Sequence, residues 1–320
     1  MSDKLIFLKP VFKEKIWGGD KLNTIYHYDI PSNKTGEAWI ISAHEHGSSL
    51  VENGPHKDKS LSDLWENERH LFNRSETDDN AYPLLVKIID ANDDLSVQVH
   101  PDDTYAQEKE GVPFGKTECW YILDADEDST IILGHYAKTK EELTNLIDTG
   151  KWEDLLQEVP VKKGDFFYVP SGTIHAIGAN VVILEIQQSS DITYRVYDYD
   201  RKDDQGDKRE LHLDKAKEVT QVPHQMMKGQ AKKEETSDYT IEQLIQEQYF
   251  TVSHWNIHGS LIYDMKEDYL QVNVLEGKAK LIIDNEEITI EAGQHFIIPH
   301  TVEQFVIKGD INMMVSHVTK

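Results

Sequence analysis

The chain of 320 residues holds a single cysteine, Cys119. That excludes an internal disulfide and any cysteine-clustered zinc site, and it suits a reducing compartment. Basic side chains are scarce: 33 Lys and Arg stand against 58 Asp and Glu, a formal charge of −25. Nucleic acids and anionic membrane surfaces both require a basic footprint, so neither is expected as a partner. Long apolar runs are missing too. Leu5-Ile6-Phe7-Leu8 is a short stretch between lysines, and nothing at the amino terminus resembles a signal peptide. No membrane span is expected, and the expected location is cytoplasmic. No Walker-type or dinucleotide-type glycine loop occurs, nor a Gly-x-Ser-x-Gly nucleophile elbow, so nucleotide and serine-hydrolase chemistry lack a motif. The acidic balance still permits a small anionic ligand, provided that a few lysines or arginines converge against the overall field.

What is present is period-two alternation. Ser96-Val97-Gln98-Val99-His100 and Lys116-Thr117-Glu118-Cys119-Trp120-Tyr121 both read as strands. Gln98 and His100 therefore share one face, and Lys116, Glu118 and Trp120 share another. An amide oxygen, an imidazole and a carboxylate beside an ammonium make a poor half-buried core but a suitable setting for a divalent metal. His175, after the bend Pro170-Ser171-Gly172, adds a second imidazole. By ligand type this set suits Zn²⁺, with Fe²⁺, Mn²⁺ or Co²⁺ also compatible. The competing interpretation is a row of polar residues on an open sheet face. His44 and His46 form a rival pair, but Glu45 and Gly47-Ser48-Ser49 around them read as a turn. Cys119 alternates away from Glu118 and is expected in the core. Trp17, before Gly18-Gly19, is by default a core residue. Arg195 lies among Asp191, Asp198 and Asp200, so a salt bridge competes with a ligand role. Lys116, on the face of Glu118, is placed to neutralise an oxyanion or to have its pKa lowered by a bound cation.

Short strands and turns fill residues 1–60, and Ser60 with Asp63 forms a capping-box signature before Leu61, Leu64 and Trp65. Apolar spacing of three to four predicts a helix over 138–158, and a shorter one is expected over 210–221. Val181 to Gln188 places Ile183, Glu185 and Gln187 on one face. A weak internal repeat is visible: Gly164 and Pro170 bracket an aromatic strand, as Gly293 and Pro299 do, with His175 and Gln304 each five residues beyond the proline. The expected fold is mainly β, two related jelly-roll barrels with a few helices on the first, which the resemblance given below makes cupin-like. The expected division is a catalytic barrel over 1–223, a linker over 224–240 and a second, metal-free barrel over 241–320.

Five blocks in order are Trp17-Gly18-Gly19, Gln98-Val99-His100-Pro101-Asp102, Lys116-Thr117-Glu118-Cys119-Trp120-Tyr121, Pro170-Ser171-Gly172-Thr173-Ile174-His175-Ala176 and Ser190-Asp191-Ile192-Thr193-Tyr194-Arg195. Together they resemble the type I mannose-6-phosphate isomerase family, in its short bacterial form. The resemblance implies a cupin-type zinc enzyme that interconverts mannose 6-phosphate and fructose 6-phosphate. It implies one Zn²⁺ per chain on Gln98, His100, Glu118 and His175, with Arg195 as catalytic arginine and Lys116 as active-site lysine. Glu185 stands ten residues before Arg195, as an acidic residue does in the longer enzymes, and is the other catalytic candidate. Trp17 and Lys116 are the candidate substrate contacts. The chain departs from the longer form in the residues after Arg195, which bears on phosphate binding. The chemistry suits the residues: isomerisation through an enediol needs a Lewis acid, a base and a cation for the oxyanion. Lys116 and Glu185 share the base and phosphate roles in an order the pattern leaves open, as it leaves monomer or dimer open. The rivals are a sugar-binding cupin without catalysis and an iron-dependent cupin dioxygenase.

Overall fold

The computed structural model describes residues 4–202, 206–226 and 232–319. It contains two compact units, each assembled from separate stretches of chain. One comprises Phe12–Ala38 and Val86–Lys228, the other Met1–Val11, Trp39–Leu85 and Gly229–Lys320. Residues 1–11 and 39–85 thus group with the carboxy-terminal stretch, and the chain passes from one unit to the other within strands Thr35–Ile41 and Leu84–Ala91. Of the expected linker, residues 227–231 lie outside the described residues.

The unit containing Val86–Lys228 is organised on two sheets. A five-stranded sheet runs in the order Leu156–Pro160, Thr130–His135, His175–Ile177, Val97–Val99 and Tyr194–Tyr197. A six-stranded sheet runs Phe166–Val169, Glu118–Ala125, Val181–Gln188, Leu84–Ala91, Val11–Gly19 and Thr35–Ile41. Trp120, Ile122 and Ile183 from the second sheet pack with Ile131, Leu133 and Ile177 from the first, forming an apolar interior. Period two divides the five-stranded sheet as the sequence requires. Val97, Val99 and Val196 turn to the opposite side, where they meet Leu143, Ile147 and Leu155 of a helical layer. Gln98 and His100 are thereby left facing the interior.

The helical layer corrects one expectation. Residues 138–158 are not one helix: Lys140–Asp148 is helical, Trp152–Leu155 is a single turn, and Leu156–Pro160 is an edge strand on Thr130–His135. Gly150 between them has φ +63°, a left-handed conformation that ends a helix readily and that few other residues adopt. The expected helix over 210–221 is present as Leu213–Val219.

In the other unit, one ten-stranded sheet wraps an apolar interior. Its backbone is a pair of long antiparallel strands, Leu270–Ile283 and Gln304–Val318. Phe296, Phe305, Leu281, Val272 and Met313 fill the interior. The repeat seen in sequence is structural: Phe166–Val169 and His295–Ile298 are the two short strands, and the glycines before them, Gly164 and Gly293, have φ of +93° and +82°. Gln304, the positional counterpart of His175, is exposed and donates to Asp264 at 2.7 Å. The fold is therefore mainly β. Among the described residues no helix is long and apolar enough to cross a membrane.

The capping box is formed as read. The Ser60 hydroxyl accepts from Asp63 N–H at 3.0 Å and the Asp63 carboxylate accepts from Ser60 N–H at 3.2 Å, closing helix Leu61–Asn67. Ser60→Ala is expected to cost about 1 kcal/mol of stability, read as a lowered urea midpoint with an unchanged m-value.

Candidate metal and active site

Four of the expected site residues come from the five-stranded sheet, and their proximity is a matter of register. Gln98 lies at the centre, paired with His175 on one side and Arg195 on the other. His100 follows two residues along the same face. The bend before His175 is tied to this strand by the Gly172 N–H, which donates to the His100 carbonyl at 2.8 Å. Glu118 comes from the other sheet, paired with Val169 and Gln187. One Nε2 from each of His100 and His175 and one Glu118 oxygen all lie within 4.8 Å of one another. His175 Nε2 is 3.3 Å from Glu118 Oε1 and His100 Nε2 is 3.7 Å from Oε2. The Gln98 amide is 3.4 Å from His175 Nε2.

Both imidazoles are prepared as ligands. His100 Nδ1 donates to the Ile192 carbonyl at 2.6 Å and His175 Nδ1 to the Thr173 carbonyl at 2.8 Å. With Nδ1–H so engaged, each neutral ring presents its Nε2 lone pair to the shared centre. Burial, reinforced by the Lys116 ammonium, pushes His100 well below the usual imidazole range and His175 down to about 4. Burial, and then the Glu185 carboxylate, raises Glu118 to about 7, with Lys116 opposing. Two neutral imidazoles around a buried carboxylate, with the Gln98 amide beside them, form a donor set that a divalent cation completes, since the cation restores the carboxylate to its ionised form. Residues and group fit.

Around this set lies a buried chain of charges. Lys116 Nζ sits 2.7 Å from Glu118 and 4.0 Å from Glu185, and Lys87 Nζ is 3.2 Å from the other Glu185 oxygen. The Trp120 indole N–H donates to Glu118 at 3.1 Å and to Glu185 at 3.2 Å. Burial alone would depress the Lys116 ammonium, but Glu118 and Glu185 outweigh it and hold Lys116 above the usual lysine range. Burial works against ionised Glu185 as well, yet Lys116 and Lys87 prevail and keep its pKa low.

Arg195 is partly exposed. Its Nε donates to Ser96 Oγ at 3.3 Å and its Nη1 to the Glu210 carbonyl at 2.8 Å. The expected salt bridges of the neighbouring aspartates go elsewhere. Buried Asp198 accepts from Arg201 at 2.6 Å and from Arg209 at 2.8 and 2.6 Å. Two guanidinium groups, of Arg201 and Arg209, thus meet on one buried carboxylate, and Arg201 also lies 3.7 Å from Asp93. Trp17 is buried with Trp120 and Ile183 in the interior. Cys119 is buried on the opposite side of its strand, and burial pushes its thiol up. His44 and His46 belong to a short hairpin, with the His46 N–H donating to His44 Nδ1 at 3.1 Å.

Sequence reasoning passed over Lys87 and the Arg201–Asp198–Arg209 group. Lys87 had a visible signal: it is the one base in Leu84–Ala91, a strand otherwise apolar until Asp90 and buried throughout. Arg209 had none, because its partner is eleven residues away in sequence.

Comparison with known proteins agrees with this geometry. Residues 5–132 match the family model of the phosphomannose isomerase type I catalytic domain, and residues 240–318 that of the mannose-6-phosphate isomerase cupin domain. Mannose-6-phosphate isomerase ManA of Bacillus subtilis is 48% identical over 317 residues, spanning 99% of this chain and all of that one. Mannose-6-phosphate isomerase of Streptococcus mutans is 48% identical, with 98% of each chain covered. The crystal structure of the Bacillus subtilis mannose 6-phosphate isomerase superposes with a TM-score of 0.95 at 47% identity, covering 98% of this chain and 100% of that one. The chain belongs to the type I mannose-6-phosphate isomerase family of enzymes.

Proposed function

We propose that the chain interconverts D-mannose 6-phosphate and D-fructose 6-phosphate through an enediol, with one Zn²⁺ held by Gln98, His100, Glu118 and His175. The observation that carries this reading is the converging pair of Nε2 lone pairs on Glu118, each fixed by a backbone acceptor behind it, in a member of this family. When bound, the metal supplies Lewis acidity to the sugar's carbonyl and adjacent hydroxyl. The protein's own groups do the rest. A proton must leave one carbon and return to its neighbour, so a base in its ionised form has to be at hand. Glu185 is that group: two lysines hold it as a carboxylate, whereas Lys116 is held as an ammonium. Lys116 and Arg195 then serve as the cations facing the oxyanion. Arg201 and Arg209, whose guanidinium groups meet at Asp198, receive the phosphate, to which planar donors are suited. Aqueous work in the cytoplasm, on a small soluble substrate, accords with the acidic charge and the lone buried cysteine.

Three measurements test this. Mannose 6-phosphate turnover should vanish on exhaustive chelation and return with Zn²⁺, and His100→Ala should lose both bound zinc and activity. Turnover that persists in protein shown to be metal-free would sink the reading. Glu185→Gln should lower kcat by roughly 10²–10⁴-fold while zinc content stays at one per chain. A kcat within a factor of three of wild type would remove Glu185 as base. Arg209→Gln should raise KM about tenfold or more with a smaller change in kcat, the mark of lost ground-state binding. An unchanged KM would place the phosphate elsewhere.

A further inference from the structure

Strand Val181–Gln188 ends in two buried amides. Gln187 is fully buried and faces the interior in register with Glu118. Its Nε2 donates to the Gln188 carbonyl at 2.7 Å and to the Ser190 carbonyl at 2.6 Å. Two carbonyl acceptors decide which end of the amide is nitrogen. Those bonds close the turn by which the chain leaves the strand. Within it, Ser190 N–H donates to the Gln188 carbonyl at 2.7 Å, and Ile192 N–H to Ser190 Oγ at 3.4 Å. The carbonyl of Ile192 is the acceptor for His100 Nδ1. Residues 189–193 lie outside the sheet ladders, so the acceptor that orients His100 takes no support from a strand of its own.

We propose that Gln187 is a positioning residue for the metal site: by pinning the turn 188–192 it sets the Ile192 carbonyl, and through it the tautomer and ring angle of His100. This rests on the metal reading above. The chain of contact runs from one sheet, through an irregular turn, to a ligand on the other sheet. A neutral side chain outside the ligand set therefore governs metal affinity, as outer hydrogen bonds to ligating histidines do.

The test uses the full chain stripped of metal and the variant Gln187→Met, which keeps the length of the side chain and removes both donors. Zn²⁺ affinity is measured by competition with a chromophoric chelator, and the ligand field by the visible spectrum of the Co²⁺ form. Zn²⁺ binding is expected to weaken about 10–100-fold, with shifted Co²⁺ bands. Ser190→Ala, which cuts only the next link, should show the same two changes in smaller measure, and it keeps the test decisive should Gln187→Met not fold. A purely structural role would lower the melting temperature of the metal-free protein while affinity and Co²⁺ spectrum stayed as in wild type. That result would overturn the proposal. Wild-type protein that bound neither ion would overturn the metal reading beneath it.

Discussion

Glu118 is a carboxylate with no exposure to solvent, and the site is arranged around keeping it there. An isolated buried charge is costly enough that a protein neutralises it or surrounds it with partners. Here the surroundings are two lysines, a second carboxylate, an indole N–H and two imidazoles, each itself buried and needing a partner in turn. Removing one member leaves another uncompensated, so the group behaves as a unit and not as a sum of pairs. Such an arrangement is weak as a stabilising device. It is understandable if a cation belongs to it, because a divalent ion against Glu118 relieves the strain that the Glu118–Glu185 proximity creates.

The two sheets divide the work. The five-stranded sheet supplies Gln98, His100, His175 and Arg195, residues placed by register across three adjacent strands. The six-stranded sheet supplies Glu118, Glu185, Lys87 and Trp120, the charged part. Neutral donors therefore meet charged ones across the interior, and the geometry depends on how the sheets are held together by Trp120, Ile122, Ile183, Ile131, Leu133 and Ile177. In the other unit the strands enclose a large apolar cluster, beside which Gln271, Asn273, His295 and Ser316 are buried and bonded among themselves.

Much of this was legible in the sequence, for an identifiable reason. Period two is a local property, so the face shared by Gln98 and His100, and that shared by Glu118 and Trp120, could be read directly. The Gly–Pro repeat also survived into structure. The helix over 138–158 was misjudged because apolar spacing continues through Gly150, whose left-handed backbone no periodicity records. Lys87 was overlooked because an apolar run hides a single base, although a lysine buried in such a strand demands a carboxylate somewhere. The Asp198 group was beyond reach: nothing local tells Arg209 to fold back on it while Arg195 turns to Ser96. Pairing across irregular loops is decided by tertiary structure.

Trp120 spans Glu118 and Glu185 with a single indole N–H. It acts as a spacer between like charges and as their only shared neutral donor among the described residues. Interior aromatic positions usually tolerate exchange among Phe, Tyr and Trp, because volume is what they contribute. This one does not have that freedom. A phenyl ring would fill the space yet offer nothing to either carboxylate, and a phenol would carry its hydroxyl to a different point. Position 120 is thus constrained by electrostatics in a place where packing alone would predict latitude.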